Sequence, residues 1–136
     1  MRPRGSAAAG DPGPRADPDS RSARGRRGEE LAASLLQAEG WSILARNFRW
    51  KGGEIDIAAS RGELIAFTEV KTWGKWGREE LERAIGPEKR RRIVETAKIF
   101  LSRHREYKDW SVRFDVILIR GDAVVARYPS AFTGEL

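Results

Sequence analysis

The chain has 136 residues, 40% of them apolar and 34% charged, with no cysteine, a single histidine and a net charge of +6. That length suits one domain with its own hydrophobic core. Without cysteine there are no disulfides, zinc–thiolate centres or thiol nucleophiles, and one histidine disfavours zinc hydrolases, histidine-metal nucleases and Ser-His-Asp hydrolases.

No apolar run approaches the roughly 18 residues of a membrane span, and no apolar h-region follows the basic start. A cytoplasmic protein with no membrane partner is expected. Residues 1–27 are Pro, Gly, Ala, Ser, Arg and Asp with one Met and no other large apolar residue. Such a segment buries too little surface to offset its ordering entropy, so it reads as a disordered basic arm. Seven arginines there oppose Asp11, Asp17 and Asp19, leaving the folded part, 28–136, with only +2 of the net charge. Basicity therefore gives a weak hint of a polyanionic partner.

From Gly28 the pattern is regular. Leu31, Ala32, Leu35 and Leu36 recur at helical spacing, and Gly40 stops the helix. The stretch 41–50 reads as a strand, Lys51-Gly52-Gly53 as a turn, and 54–59 as a half-buried strand with alternating polarity. Another turn precedes a strand over 64–71, and a Gly/Trp loop with Trp73 and Trp76 follows. A short helix is expected over 79–85, and Pro87 suits the first turn of a longer helix reaching about Arg105. Residues 111–120 read as a strand, Gly121-Asp122 as a tight turn, and 123–128 as a last strand or edge segment. The order αβββ-α-β(β) predicts an α/β domain with a mixed sheet flanked by helices.

The polar groups converge on one hairpin. A two-residue loop at Arg61-Gly62 sets Ser60 opposite Glu63, Glu54 opposite Glu69, and Asp56 opposite Phe67. Directly opposed residues share a sheet face, so Glu54, Asp56, Glu69 and Lys71 are expected on one side. Three carboxylates and a lysine in close quarters call for a neutralising cation. A hard divalent ion such as Mg²⁺, which takes oxygen ligands, is the natural choice.

The helices add to this cluster. On a wheel of the first helix, Glu29 lies about 90° from the centre of the buried face, able to reach the sheet edge, whereas Glu30 points almost directly away. On the long helix, Ile93, Ala97, Phe100, Leu101 and His104 form the inner stripe, which Lys89 continues towards the N-terminus. His104, on an apolar stripe, reads as structural. Arg90, Arg91, Arg92 and Lys98 spread over the other faces, and for the run Lys89-Arg90-Arg91-Arg92 a solvated helix face and a phosphate clamp are equally good readings. Trp73 and Trp76 either stack on bases or anchor their loop.

Several motifs then coincide: Gly28-Glu29 with Ala32, Arg46-Asn47-Phe48-Arg49, Gly52 to Ile57, Phe67 to Thr72, Lys89, Arg113 to Val116, and Ala131-Phe132. Together they resemble the YraN-like uncharacterised bacterial family over about residues 28–132. That family is similar to the restriction-endonuclease-like, PD-(D/E)xK fold, and in layout to Holliday junction resolvases.

The resemblance implies Asp56 and Glu69 as metal ligands, Lys71 as the catalytic lysine, Glu29 as the helix carboxylate and Glu54 as an accessory acid beside the metal. Trp73 stands where the family usually has an arginine. The implied activity is Mg²⁺-dependent cleavage of DNA, branched or processed, with Mn²⁺ as a substitute ion. Arg46, Arg49, Lys89, Arg90 and Arg91 are the expected phosphate contacts. The alternatives are a nucleic-acid-binding protein of the same fold without turnover and a protein-interaction module. A homodimer is left open.

Overall fold

The computed structural model describes residues 21–72 and 85–134. The elements run α1 (Arg21–Ala38), β1 (Ser42–Trp50), β2 (Gly53–Arg61), β3 (Leu64–Thr72), α2 (Pro87–Ser102), a 3₁₀ turn (Arg105–Tyr107), β4 (Ser111–Arg120) and β5 (Ala123–Phe132). The strands form one five-stranded sheet in the order β1-β2-β3-β4-β5. All neighbours are antiparallel except β3 and β4, which run parallel. A parallel pair needs a crossover rather than a hairpin, and α2 lies within it. This is the expected α/β architecture, a mixed sheet flanked by helices in a restriction-endonuclease-like layout.

Strand alternation sorts the core into two layers. Ile65, Phe67, Phe114, Val116 and Leu118 pack with Ile93, Ala97 and Phe100 of α2. Ile57, Ala59, Ala66, Ile117 and Ile119 pack with Ala32, Ala33 and Leu36 of α1. Phe100 sits edge-on to both Phe48 and Phe67, with centroids 5.3 and 5.7 Å away. His104 stacks on Phe100 and its Nδ1 lies 2.7 Å from the Phe100 carbonyl oxygen. It is structural, as expected.

Apart from shifts of one or two residues at the ends of β1, β2 and β3, the structure departs from the sequence reading at four places. α1 begins at Arg21, so the last seven residues assigned to the arm are helical. Ala and Arg are strong helix formers, and Ala23 is already buried. A count of large apolar residues could not see that. α2 ends at Ser102, and the separate 3₁₀ turn follows His104. β5 extends to Phe132, whose ring stacks on Phe114 at 5.0 Å.

The fourth difference is the hairpin register. The β2–β3 pairs run Arg61↔Leu64, Ser60↔Ile65, Ala59↔Ala66, Ala58↔Phe67 and Ile57↔Thr68. The loop is therefore Gly62-Glu63, not Arg61-Gly62. Gly62 has φ +61°, and a type II′ turn puts that left-handed residue first in the loop. Moving the loop by one residue moves the pairing by two, so face parity survives. Asp56 thus falls at the register position of Glu69 instead of Phe67.

The Arg113–Val116 motif is accounted for by packing. Arg113 Nε donates to buried Asp115 Oδ1 at 3.0 Å, and the same oxygen accepts the Ser130 N–H at 2.9 Å. That ties β5 to β4 beside a register shift. The Arg113 and Arg61 guanidinium groups lie 5.2 and 4.6 Å from the buried Trp41 ring. Residues 1–20, the Trp73–Trp76 loop and residues 79–84 of the expected short helix lie outside the described residues. Among the described residues no helix is long and apolar enough to cross a membrane.

Candidate active site

The β2–β3 ladder ends at Ile57↔Thr68. One residue further, the Asp56 side chain takes over: its Oδ2 accepts the Val70 N–H at 2.8 Å. The strands part at this point, and the gap is lined by Gly52, Gly53, Glu54, Asp56, Glu69 and, from α2, Lys89 and Arg92. The cleft encloses about 150 Å³. Gly53 permits the close approach of α2, because an added Cβ would collide with Thr96 Oγ1 and the Arg92 carbonyl.

Glu69 is 6% exposed and its Oε2 lies 3.1 Å from Lys89 Nζ and 3.5 Å from Lys71 Nζ. Alternation along β3 puts Glu69 and Lys71 on the same face; Glu69 lines the cleft, and Lys71 lies beside it through its contact with Glu69. Lys89 arrives from the first turn of α2. Its burial opposes the charge, but the Glu69 carboxylate, with Asp56 behind it, outweighs that and holds Lys89 above the usual lysine range.

Asp56 is the perturbed acid. Burial, then the charge of Glu69, pushes its carboxyl up to about 8; the Val70 N–H works against this, while Glu29 and Glu54 add to it. A carboxyl raised by desolvation and like charge in a cleft is the electrostatic pattern of a functional site.

Glu29 and Glu54 are held by a residue that sequence reasoning missed. Asn47 Nδ2 donates to Glu29 Oε1 at 3.1 Å and to Glu54 Oε2 at 3.0 Å, bridging α1 and β2. Asn47 has φ +53°, a conformation asparagine tolerates better than most residues. An asparagine inside a strand was the available signal, since strands disfavour it. Glu54 is also 3.3 Å from Arg49 Nη2. Strict alternation fails beside it: Ile55 and Ala58 both join the α2-side core, whereas Ile57 joins the α1 side. Glu54 nonetheless lines the cleft.

Among the described residues no three acidic or imidazole groups form a ready-made metal cage. What the cleft offers is two buried carboxylates, Asp56 and Glu69. That hard-oxygen donor set fits Mg²⁺, which is commonly held by one or two carboxylates with waters and substrate phosphate completing its shell. Lacking sulfur and imidazole, the site does not fit a structural zinc.

The expected phosphate contacts divide. Arg46 Nη1 pairs with Glu30 at 2.9 Å, and Arg91 pairs with Glu88 within the first turns of α2. Arg90 Nε donates to the Ile85 carbonyl at 2.7 Å and its guanidinium lies over Phe132. Arg49 is 73% exposed despite its contact with Glu54. Lys89 Nζ pairs with Glu69 while its side chain stays partly exposed.

Residues 28–119 match the description "Uncharacterised protein family UPF0102". The chain belongs to the UPF0102 family. A UPF0102 protein of Mesorhizobium japonicum is 47% identical over 96 residues, covering 71% of this chain and 75% of the relative. One from Treponema pallidum is 45% identical over 98 residues, covering 72% and 78%. Another, from Rhodopseudomonas palustris, is 39% identical over 124 residues and covers 89% and 90%. The YraN-like resemblance carried by the motifs is thereby borne out. The UPF0102 match begins at Gly28, the residue before Glu29, and includes the whole cleft.

Proposed function

We propose that this UPF0102 protein is a Mg²⁺-dependent nuclease of the PD-(D/E)xK type that hydrolyses phosphodiester bonds in DNA. One observation carries the reading: Asp56 and Glu69 line a cleft where β2 and β3 separate, with Lys89 reaching into it and Lys71 beside it, both lysines on Glu69. When bound, Mg²⁺ would supply an activated water and neutralise charge developing on the phosphate.

The chain's own residues divide the remaining work. Asp56 and Glu69 would hold the ion. Lys71, half-buried and 3.5 Å from Glu69, would orient the attacking water and offset negative charge on the phosphate. Lys89 holds the Glu69 carboxylate in position through its 3.1 Å contact. Asn47 holds Glu29 and Glu54 apart from the two ligands, so that they shape the field of the cleft without filling it. Arg49, at the mouth, is the most exposed of the expected phosphate contacts near the cleft and would meet the backbone without reading sequence.

The second reading is a nucleic-acid-binding protein without turnover. It is favoured by the two lysines on Glu69, which already neutralise one of the two proposed ligands. A cleavage assay separates the two. Junction, flap, single-stranded and duplex DNA would be incubated with Mg²⁺, with Mn²⁺ and with chelator, using wild type and Asp56→Asn. Cleavage that needs the metal and disappears in Asp56→Asn supports the nuclease. DNA binding without cleavage, unaltered by metal, supports the second reading.

A further inference from the structure

A second groove lies at the far end of α2 from the cleft. It encloses about 570 Å³ between the last turns of α2, the 3₁₀ turn and the start of β4. That volume is typical of ligand sites. Lys89 and Ser102 are thirteen residues apart on one helix, so the groove is roughly 20 Å along the helix axis from the cleft.

Its lining has a distinct chemistry. Tyr107 and Trp110 are half-buried, with ring centroids 4.7 Å apart and planes tilted by 55°. Leu101 and Val112 complete an apolar floor. Lys98, Arg105 and Lys108 also line the groove, and among the described residues no carboxylate does. Lys98 pairs with Glu95 at 3.2 Å and Lys108 with Asp109 at 3.9 Å. Both are surface pairs of little energetic worth, which a phosphate can replace. Among the described residues Arg105 has no carboxylate partner.

We infer that this groove binds an unpaired nucleotide segment of a nucleic acid, with a base against Trp110 and Tyr107 and its phosphates on Arg105, Lys98 and Lys108. The inference rests on the nucleic-acid reading of the cleft and supplies a feature of its substrate. Cations alone would suit any polyanion. Cations beside two accessible aromatic rings select an anion that also has a flat π-face. A paired base hides that face in the stack, so the occupant is single-stranded. The groove lies about 20 Å along the α2 axis from the proposed scissile phosphate, a span of a few nucleotides. The substrate is then a nucleic acid with an unpaired segment near the cut.

The test is binding of the full chain to a labelled oligothymidylate and to an abasic phosphodiester of the same length, in chelator so that nothing is cleaved. Wild type is expected to prefer the oligothymidylate. Trp110→Ala should weaken that oligomer roughly 5- to 150-fold, the range of one lost base stack, and leave the abasic one unchanged. Arg105→Ala should weaken both and reduce the slope of log affinity against log salt by about 0.7, the loss of one phosphate contact. Arg105 is exposed, so this variant folds even if Trp110→Ala does not.

Equal binding of the two oligomers by wild type, unchanged affinity in Arg105→Ala, or displacement of the oligomer by an acidic peptide at lower concentration would each overturn the inference. The same measurements in an Asp56→Asn background isolate the groove from the cleft. Metal-dependent cleavage could then fail while the groove preference stands, or the reverse.

Discussion

The Asp56 carboxylate accepts the backbone N–H of Val70 at 2.8 Å, just past the last pair of the β2–β3 ladder. A side chain has replaced a main-chain partner at the place where the two strands diverge. The same hydrogen bond fixes the most perturbed acid in the cleft next to Glu69, and two substitutions separate these roles. Asn retains an oxygen that can accept from Val70 and removes the charge, whereas Ala leaves the N–H without its partner. Asp56→Ala should lose about 1–3 kcal/mol of stability, the cost of an unsatisfied buried group. Asp56→Asn should melt at or above wild type in chelator, and both should lack metal-dependent cleavage. Thermal melts with and without Mg²⁺ check this.

Asp56 also sets a pH dependence. Its folded-state value, about 8, lies above the ordinary 3.8, so the native state holds this proton more tightly than the unfolded chain. The stabilisation is complete below the ordinary value and is lost as pH rises through about 8. In chelator, the stability difference between wild type and Asp56→Asn should therefore shift in favour of the variant across that window. Mg²⁺ should compete with the proton and bind more tightly as pH rises. Denaturant unfolding at stepped pH reads the first effect, and calorimetric titration reads the second. A flat difference would show that the carboxyl is ionised throughout.

Lys71 and Lys89 both approach Glu69, but they should fail differently. Lys71→Ala should keep metal binding and lose turnover by on the order of 10²- to 10⁴-fold. Lys89→Met removes the shorter contact to a buried carboxylate and should cost about 1–3 kcal/mol, less than a fully buried pair because Lys89 is partly solvated. Mg²⁺ should restore much of that loss by replacing the cation. Melting both variants with and without the metal distinguishes them.

Asn47 combines a left-handed backbone with a bridge between two carboxylates. Asn47→Gly should keep the backbone and lose the bridge; Asn47→Leu should lose both and be the less stable. Asn47→Asp puts a third negative charge between Glu29 and Glu54 and should be destabilised most at high pH. Chemical denaturation of the three variants tests the order.

Glu30 offers a control. It faces solvent and, among the described residues, pairs with Arg46 at 2.9 Å on the exposed side of α1. Glu30→Ala should change stability by less than about 1 kcal/mol and leave cleavage untouched. A large loss of cleavage would move the site to the outer face of α1.

Much of this architecture was legible because it follows from local rules. Apolar periodicity gave the helices and strands, and Pro87 marked the start of α2. Strand alternation and the loop's even length put Asp56, Glu69 and Lys71 on a common face even though the loop itself was displaced by one residue. Parity survives such an error because side chains repeat every two residues. The inner stripe of α2 likewise carried Lys89 towards the cleft, though its contact with Glu69 was not read from the sequence.

What the sequence determined by itself is the set of elements, the face each polar group occupies and the family. Only the tertiary structure decided which charges meet. Asn47 reaches Glu29 and Glu54 because α1 and β1 pack across the sheet, eighteen and seven residues away in the chain. Lys89 meets Glu69 because α2 crosses the end of β3. Ile55 turns towards α2 where plain alternation would turn it away. The raised Asp56 carboxyl likewise depends on burial and on three acids brought from β3, α1 and β2. Periodicity fixes direction within one element, whereas burial and electrostatic pairing depend on distances between elements, which exist only once the chain has folded.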